Sequence, residues 1–254
     1  MTARRPFLTA EWRYLVMLNY EVPADVLTPF VPQGTRLDLW ENRALVSVVG
    51  FRFLDTRVLG VPVPLHRNFD EVNLRFYVRR ELADGEVRRG VAFIRELVPR
   101  PMIAWVARLA YNEPYRSLPM RSRTPPTPSD EPGTLRYSWR RRTPAGRVWE
   151  YLEAETTGQP VIPPTGSEAW FITEHYWGYT PQRDGGTVEY EVRHPRWRVW
   201  TADAAALHAD VAGLYGSSFV KPLTAMPCSA FVAEGSAVTV FPPNRITADR
   251  WVDG

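Results

Sequence analysis

Turn-forming residues interrupt this chain at short intervals, and their spacing limits the elements that it can form. The 254 residues include 24 prolines, about twice the usual share of roughly 5%. The segments between these breaks are rich in aromatic and β-branched residues, which is typical of β-strands. The sequence therefore predicts a mainly β protein in which many strands follow one another as hairpins.

Hairpins are predicted wherever two such segments flank a turn signal, of which Asp84-Gly85 is the strongest. The predicted hairpins join residues 36–40 to 44–54, 69–80 to 87–98, and 135–142 to 147–155. Further strands are predicted at 12–22, 175–179, 188–193, 196–201, 229–234 and 237–241, the last two as a pair about Gly235.

Helices are predicted in smaller segments between the strands. Their signals are a proline at a helix start, apolar residues at helical spacing, a capping serine at Ser167 and an alanine-rich run. The predicted helices cover residues 23–30, 102–110, 167–172 and 203–214, and residues 121–133 are predicted to form a surface loop.

No repeat or linker divides the chain, so residues 1–254 are expected to form one domain. Sequential antiparallel hairpins over this length favour closure into a β-barrel, because closure removes exposed strand edges. We therefore predict a single-domain antiparallel β-barrel with three or four peripheral helices.

Composition excludes several classes of protein. Apolar residues make up 44% of the chain and charged residues 23%, which indicates a globular protein instead of a disordered one. No apolar run is long enough for a membrane span or a signal peptide, so we expect a cytoplasmic protein with no membrane partner. The lone Cys228 and four scattered histidines have no metal-ligand spacing, so neither a metal nor another cofactor is expected.

Basic residues outnumber acidic ones only slightly, by 31 to 28. The densest basic run, Arg140 to Arg142, lies between Trp139 and Trp149 and could contact nucleic acid or another protein. A solvated strand end explains the same run, since acidic residues are interleaved elsewhere. No nucleic-acid partner is expected, and an interaction surface stays the minor alternative.

The segment from Phe69 to Val78 carries the most chemical information. Its strand period places one polar row opposite one apolar row. The polar row is Glu71, Asn73, Arg75 and Tyr77, and the apolar row is Val72, Leu74, Phe76 and Val78. The polar row either meets water, as in an ordinary half-exposed strand, or points into a barrel and orients a small ligand. The next strand adds Arg95 or Glu96 to this row, depending on register.

Three stretches resemble a known family. They are the opening Trp12-Arg-Tyr-Leu-Val, the Glu71-x-Asn-x-Arg-x-Tyr-Val strand, and Pro227-Cys-Ser with Ala233-Glu-Gly-Ser-Ala-Val-Thr-Val. Together they resemble the YqjF-like family, a domain of unknown function in the acetoacetate-decarboxylase-like superfamily. The resemblance spans roughly residues 8 to 246 and implies a cone-shaped barrel with a central cavity. Barrels of the related decarboxylase associate, so the resemblance also implies a homo-oligomer.

The decarboxylase is similar in one further stretch, Arg95-Glu-Leu-x-x-x-Pro101. In that enzyme two lysines follow the proline, and the first forms a Schiff base with a β-keto acid. Here Met102 and Ile103 follow it, and neither side chain can form an imine. Lys221 lies far from this motif and is interpreted as a loop lysine in water. Acetoacetate decarboxylase activity is therefore not expected.

These observations lead to a hypothesis of small-molecule binding. The expected ligand is a small anionic organic molecule, with Arg75 and Arg95 binding its acidic group through planar guanidinium forks. Glu71 orients Arg75 or acts as the acid–base group, Asn73 and Tyr77 supply hydrogen bonds, and Met102 lies in the cavity wall. Whether turnover occurs is open; if it does, lyase or dehydratase chemistry on a keto or hydroxy acid is expected.

A non-catalytic ligand-binding or sensing barrel is the alternative hypothesis. In that case Glu71 and Arg75 form a structural ion pair and no reaction takes place. The stretch Thr173-Glu174-His175-Tyr176-Trp177 has a mixture of residues typical of active sites, but a buried strand entry with one hydrogen-bonded histidine explains it equally. The sequence does not assign roles to Glu174, His175 or Lys221.

Overall fold

The computed structural model describes residues 4–63, 66–99, 114–125, 131, 133–144 and 146–246, and these are mainly strands. The strands are β1 Leu8–Val22, β2 Arg36–Leu37, β3 Ala44–Val58, β4 Val61–Pro62, β5 Phe69–Glu81, β6 Val87–Val98, β7 Tyr115–Ser117, β8 Met120–Arg123, β9 Thr134–Thr143, β10 Gly146–Val161, β11 Trp177–Pro181, β12 Thr187–Arg193, β13 Val199–His208, β14 Ser229–Val240 and β15 Asn244–Ile246. The α-helices are α1 Ala24–Leu27, α2 Glu168–Thr173, α3 Val211–Tyr215 and α4 Val220–Thr224, with 3-10 turns at Thr28–Phe30 and Ser217–Phe219.

One group of strands closes into a ring, which confirms the predicted barrel. The ring runs β12–β11–β6–β5–β3–β1–β14 and returns from β14 to β12. The pairings are antiparallel except between β6 and β11, which run parallel. Because the ring closes on itself, its strands keep hydrogen-bonded neighbours on both sides.

A second layer covers the outer face of the ring. The sheet continues from β14 through β13, β10, β9 and β8, and side chains of this extension share one hydrophobic core with the ring strands and with α3 and α4. At the closest approach, a Cβ on Gly50 of β3 would lie 2.6 Å from the ring of Tyr137. The backbones of the two layers can come this close only because residue 50 has no side chain.

Strand β5 is covered on both faces. Its apolar row packs into the core between the two layers, whereas Glu71, Asn73 and Tyr77 on the other face are 3%, 3% and 1% exposed. The polar row therefore lies inside the ring and not in bulk water.

Helix α2 packs against the inner face of the ring. Ser167 caps it as expected, its Oγ accepting a hydrogen bond from the Trp170 amide at 3.2 Å. Phe171 and Ile172 join an inner hydrophobic cluster that includes Leu15 of β1 and Val49 of β3. The helix thus supplies part of the wall of the ring interior.

Several predicted elements differ in the structure. The predicted helix at 203–214 is wrong, because residues 204–208 pair with β10 and only Val211–Tyr215 is helical, capped by Asp210. Pairing with β10 and packing of Ala205 and Leu207 on the core outweigh the helix propensity of the alanines. The loop predicted at 121–133 begins as β8, which pairs with β9.

Two predicted hairpins are also wrong. Arg36–Leu37 pairs with β5 instead of β3, so the segments 36–40 and 44–54 form no hairpin beyond the Trp40–Arg43 bridge. Residues 229–240 form one strand along β1, and Gly235, with φ +79°, lies within it where a side chain would meet the Trp12 carbonyl. The helix predicted at 102–110 lies outside the described residues.

Candidate functional site

A cavity of about 510 Å³ lies inside the ring, between its inner face and α2. Most of its wall is aliphatic or aromatic. The polar side chains that line it include Glu71, Asn73, Arg75, Glu96, Tyr115 and His175. Three residues of the predicted row therefore face this cavity from one strand.

Glu71 and Asn73 form a hydrogen-bonded cluster on the cavity wall. Asn73 Nδ2 donates to Glu71 Oε1 at 3.0 Å, and the Tyr115 hydroxyl donates to Glu71 Oε2 at 3.4 Å. Glu96 is the β6 neighbour of Asn73. Two carboxylates thus occupy the same region of the wall.

A β-bulge decides which residue of β6 joins this row. Leu74 pairs with Arg95 but Arg75 pairs with Phe93, so the strand gains one residue at Ile94. Phe93 and Glu96 consequently line the cavity, while Arg95 lies on the outer side, where its Nε donates to the Leu214 carbonyl at 3.2 Å. The structure therefore does not bring Arg95 to the site; Glu96 takes that place, as the other register allowed.

Arg75 has no carboxylate partner among the described residues. Its Nη2 contacts the Ile172 carbonyl at 3.4 Å and Met17 Sδ at 3.9 Å, and its buried Nε has no hydrogen-bond partner in the described part of the chain. The structural Glu71–Arg75 ion pair of the alternative hypothesis is not formed between these residues. The cavity thus holds a partly buried guanidinium whose charge no described carboxylate neutralises.

Tyr77 lies behind the cavity wall instead of on it. Its hydroxyl is hydrogen-bonded to the Ser47 hydroxyl, and its ring centre is 5.3 Å from that of Phe171 and 4.7 Å from that of His175. Burial raises the pKa of Tyr77 above its ordinary value. The side chain supports neighbouring wall residues, and its hydroxyl is already engaged.

His175 lines the cavity and is a site residue whose role the sequence does not predict. Its Nε2 is 3.1 Å from Asp38 Oδ2, which also accepts a hydrogen bond from Arg89 Nε at 2.7 Å. Burial opposes ionisation of Asp38, but the hydrogen bonds and charges of His175 and Arg89 lower its pKa below the ordinary value. Since a carboxylate only accepts hydrogen bonds, Nε2 carries the imidazole proton.

The remaining nitrogen of His175 is a lone-pair acceptor. Burial, with the positive charges of Arg89 and Arg75, lowers the pKa of His175 to about 4 against the effect of Asp38, so the ring is neutral near pH 7. Its buried Nδ1 has no hydrogen-bond partner among the residues described. The only signal for this role in the sequence was the Thr173–Trp177 mixture after a capped helix.

The other candidates lie elsewhere. Met102 lies outside the described residues. Glu174 accepts a hydrogen bond from the Tyr176 hydroxyl at 2.8 Å, and exposed Lys221 lies in α4; neither lines the cavity. In the basic run, Arg141 pairs with Glu150 at 2.8 Å and with Asp210, which neutralises part of its charge.

The described residues contain neither a cluster of metal ligands nor a membrane-spanning helix. No group of three or more His, Cys, Asp or Glu side chains is arranged to hold a metal ion there. Within the same residues, no helix has the length and apolar character needed to cross a membrane.

Comparison with known proteins identifies related sequences and folds. A model of the DUF2071 family, described as an uncharacterised conserved protein, matches residues 9–237. No curated protein matches the chain.

Among solved structures, the fold is similar to acetoacetate decarboxylase from Legionella pneumophila, with 14% identity over 95% of this chain and 87% of that one, at a TM-score of 0.62. An acetoacetate decarboxylase-like enzyme from Sphingomonas wittichii RW1 is 12% identical over 94% and 92% of the two chains, with a TM-score of 0.64. The enduracididine biosynthesis enzyme MppR, complexed with pyruvate, is 12% identical over 97% and 92%, with a TM-score of 0.63. These likenesses establish the acetoacetate-decarboxylase-like fold that the sequence resemblance predicted.

Proposed function

The chain belongs to the DUF2071 family, and on that premise we propose that its barrel binds a small organic acid, with Arg75 holding the acidic group. In the same proposal, Glu71 is the acid–base group of a lyase or dehydratase reaction that needs no Schiff base.

The observation that carries the proposal is the guanidinium of Arg75, which lines the cavity and meets no described carboxylate. A partly buried charge is costly unless a counterion or hydrogen-bond partners compensate it. A ligand carboxylate fits the planar donor fork of arginine and forms short, charge-assisted hydrogen bonds with it. Ligand binding would therefore supply the counterion that the described chain does not.

The shape and wall of the cavity indicate the rest of the ligand. About 510 Å³ falls in the range of roughly 300–1,000 Å³ that is usual for small-molecule sites. Aromatic residues such as Trp12 and Phe93 line it, so burial of an apolar ligand body is favourable. The expected ligand is an acid with a short apolar portion.

The chemistry available at the site is proton transfer. Glu71 and Glu96 line the same wall, and a positioned carboxyl group can take a proton from a carbon or give one to a leaving hydroxyl. Met102 and Ile103 follow Pro101, so imine chemistry at this motif is not available. The solved MppR complex with pyruvate supports small oxo acids as one class to test.

A thermal-shift screen with keto acids and hydroxy acids tests the proposal. At a concentration ten times the dissociation constant, a bound acid stabilises the protein by about 1.4 kcal/mol, which raises its Tm by about 3–6 °C. Arg75→Ala should weaken binding about 10- to 100-fold. The matched control is Arg136→Ala, which removes a half-buried arginine paired with Glu153 in the outer layer and should bind as the wild type does.

The outcomes separate the hypotheses. If no acid shifts the wild-type Tm, or if Arg75→Ala binds as tightly as the wild type, the proposal is wrong. A bound acid with an exchangeable C–H is then incubated in D2O with wild-type protein and with Glu71→Gln. Loss of the proton signal only with the wild type supports an enzyme. No loss with either protein, at equimolar protein and long incubation, identifies a binding or sensing barrel.

A further inference from the structure

Asn73 Oδ1 and His175 Nδ1 belong to cavity-lining residues and are buried acceptor atoms with no hydrogen-bond partner in the described part of the chain. The other polar atom of each side chain is already used, since Asn73 Nδ2 donates to Glu71 and His175 Nε2 to Asp38. An amide oxygen and an imidazole lone pair can only accept. A ligand therefore satisfies these atoms only by bringing donors of its own.

His175 lies close to Arg75. The Arg75 guanidinium contacts the carbonyl of Ile172, three residues before His175 in the chain. Both side chains also contact Tyr77, whose ring centre is 5.8 Å from Arg75 Cζ and 4.7 Å from the His175 ring centre. One small molecule held by Arg75 is thus within reach of His175.

Resting on the proposed function, we propose that this cavity selects hydroxy acids over the corresponding keto acids. The carboxylate of the ligand binds Arg75, and its hydroxyl donates a hydrogen bond to His175 Nδ1. A keto oxygen at the same place would face a lone pair and leave the buried acceptor unsatisfied. Sites built to pair with a substrate hydroxyl discriminate strongly against analogues that lack it.

Asp38 and Arg89 act here as positioning residues. The Asp38 carboxylate fixes the imidazole proton on Nε2, and Arg89 Nε donates to the same carboxylate oxygen, Oδ2. The acceptor character of His175 Nδ1 is therefore set before any ligand arrives.

Calorimetric titration with two matched pairs of acids tests the inference. The probes are lactate against pyruvate and mandelate against benzoylformate, so each pair differs at one oxygen. Wild-type protein should bind the hydroxy acid with a dissociation constant at least about tenfold lower. His175→Phe keeps an aromatic ring without the acceptor and should lose most of this preference, whereas Arg75→Ala should weaken both members of a pair alike. His208→Phe, at a ring stacked on Tyr151 outside the cavity lining, should behave as the wild type.

Each outcome decides one question. Equal affinity within both pairs for the wild type, or an unchanged preference in His175→Phe, would overturn the inference and leave the proposed function standing. Absence of binding by all four acids would overturn the proposed function and the inference with it. If His175→Phe does not fold, the wild-type comparison alone decides, because it tests the preference directly.

Discussion

At the scale of single residues, the main lesson is that side chains of similar charge have different surroundings. Arg95 pairs with Leu74, the residue before Arg75, yet Arg95 donates to a carbonyl at a helix end on the outer side and Arg75 meets the cavity. Both are arginines, so residue type alone does not distinguish them. Burial and partners, which only the fold supplies, separate a structural arginine from a candidate ligand-binding one.

The titration of His175 gives a prediction at this scale. In the unfolded chain its pKa is near the ordinary 6.5, whereas in the folded protein it is about 4. Between these values the unfolded state binds the proton and the folded state does not, so stability falls as pH decreases from 7 to 5. For one such histidine the loss is about 2 kcal/mol.

Urea unfolding at pH 7 and pH 5 measures this loss. His175→Phe should reduce the difference between the two free energies of unfolding by about 2 kcal/mol relative to the wild type. His208→Phe is the control and should keep the wild-type difference. An equal pH dependence in His175→Phe and the wild type would show that this buried imidazole does not account for it.

At the scale of elements, the sequence predicted strands better than their pairing. The hairpin of β5 and β6 was predicted because Asp84-Gly85 is a local turn signal that needs no tertiary information. Strand β13 was mistaken for a helix because alanine propensity is local, whereas its pairing with β10 is not. The bulge at Ile94 has no local signature either, and for that reason the choice between Arg95 and Glu96 stayed open.

Gly50 offers a test of how tightly the two layers approach. A methyl group at this position would lie 2.6 Å from Tyr137 Cδ2 and 2.9 Å from Leu152 Cδ2. Both are buried side chains of the second layer, so room is made only by shifting the core. Gly50→Ala should lower the free energy of unfolding by about 1–3 kcal/mol.

Chemical denaturation compares this variant with Gly133→Ala, where an added Cβ has no heavy atom within 4 Å. The control should stay within about 0.5 kcal/mol of the wild type. A Gly50→Ala protein as stable as the control would mean that the two layers separate easily at this point.

At the scale of the whole molecule, the length of strand pairing differs around the ring. Strand β1 pairs with β3 and with β14 along most of its length. The β11–β12 hairpin pairs with its neighbours in the ring over fewer residues: with Gly90 and Val91 of β6, and with Val240 and Thr239 of β14. Residues of this hairpin line the cavity, so opening at these two seams would give a ligand access.

Hydrogen–deuterium exchange tests this difference in local stability. Amides in residues 177–193 should exchange faster than those in residues 15–22, because fewer backbone hydrogen bonds hold the hairpin to its neighbours. A bound acid should slow exchange in the hairpin more than in β1. Uniform exchange around the ring would indicate another route into the cavity.

Fold class was predictable from the sequence because turn signals and strand periodicity repeat along the whole chain. The candidate site was predictable only in part, since alternation placed Glu71, Asn73 and Arg75 together but did not fix whether water or a cavity faced them. His175 and Asp38 are 137 positions apart, and no local sequence pattern predicts their contact. Closure of the ring brings them together.

The two covered faces of β5 also bear on how such a protein can change over time. Its valines, leucine and phenylalanine pack into the core from one side, so that packing does not depend on the acid, amide and guanidinium on the other side. Descendants could exchange Arg75 alone, whereas Glu71 and Asn73 would have to change together because they are hydrogen-bonded to each other. Diversification of the ligand would then leave the apolar side of the strand untouched, and one scaffold could serve unrelated metabolites.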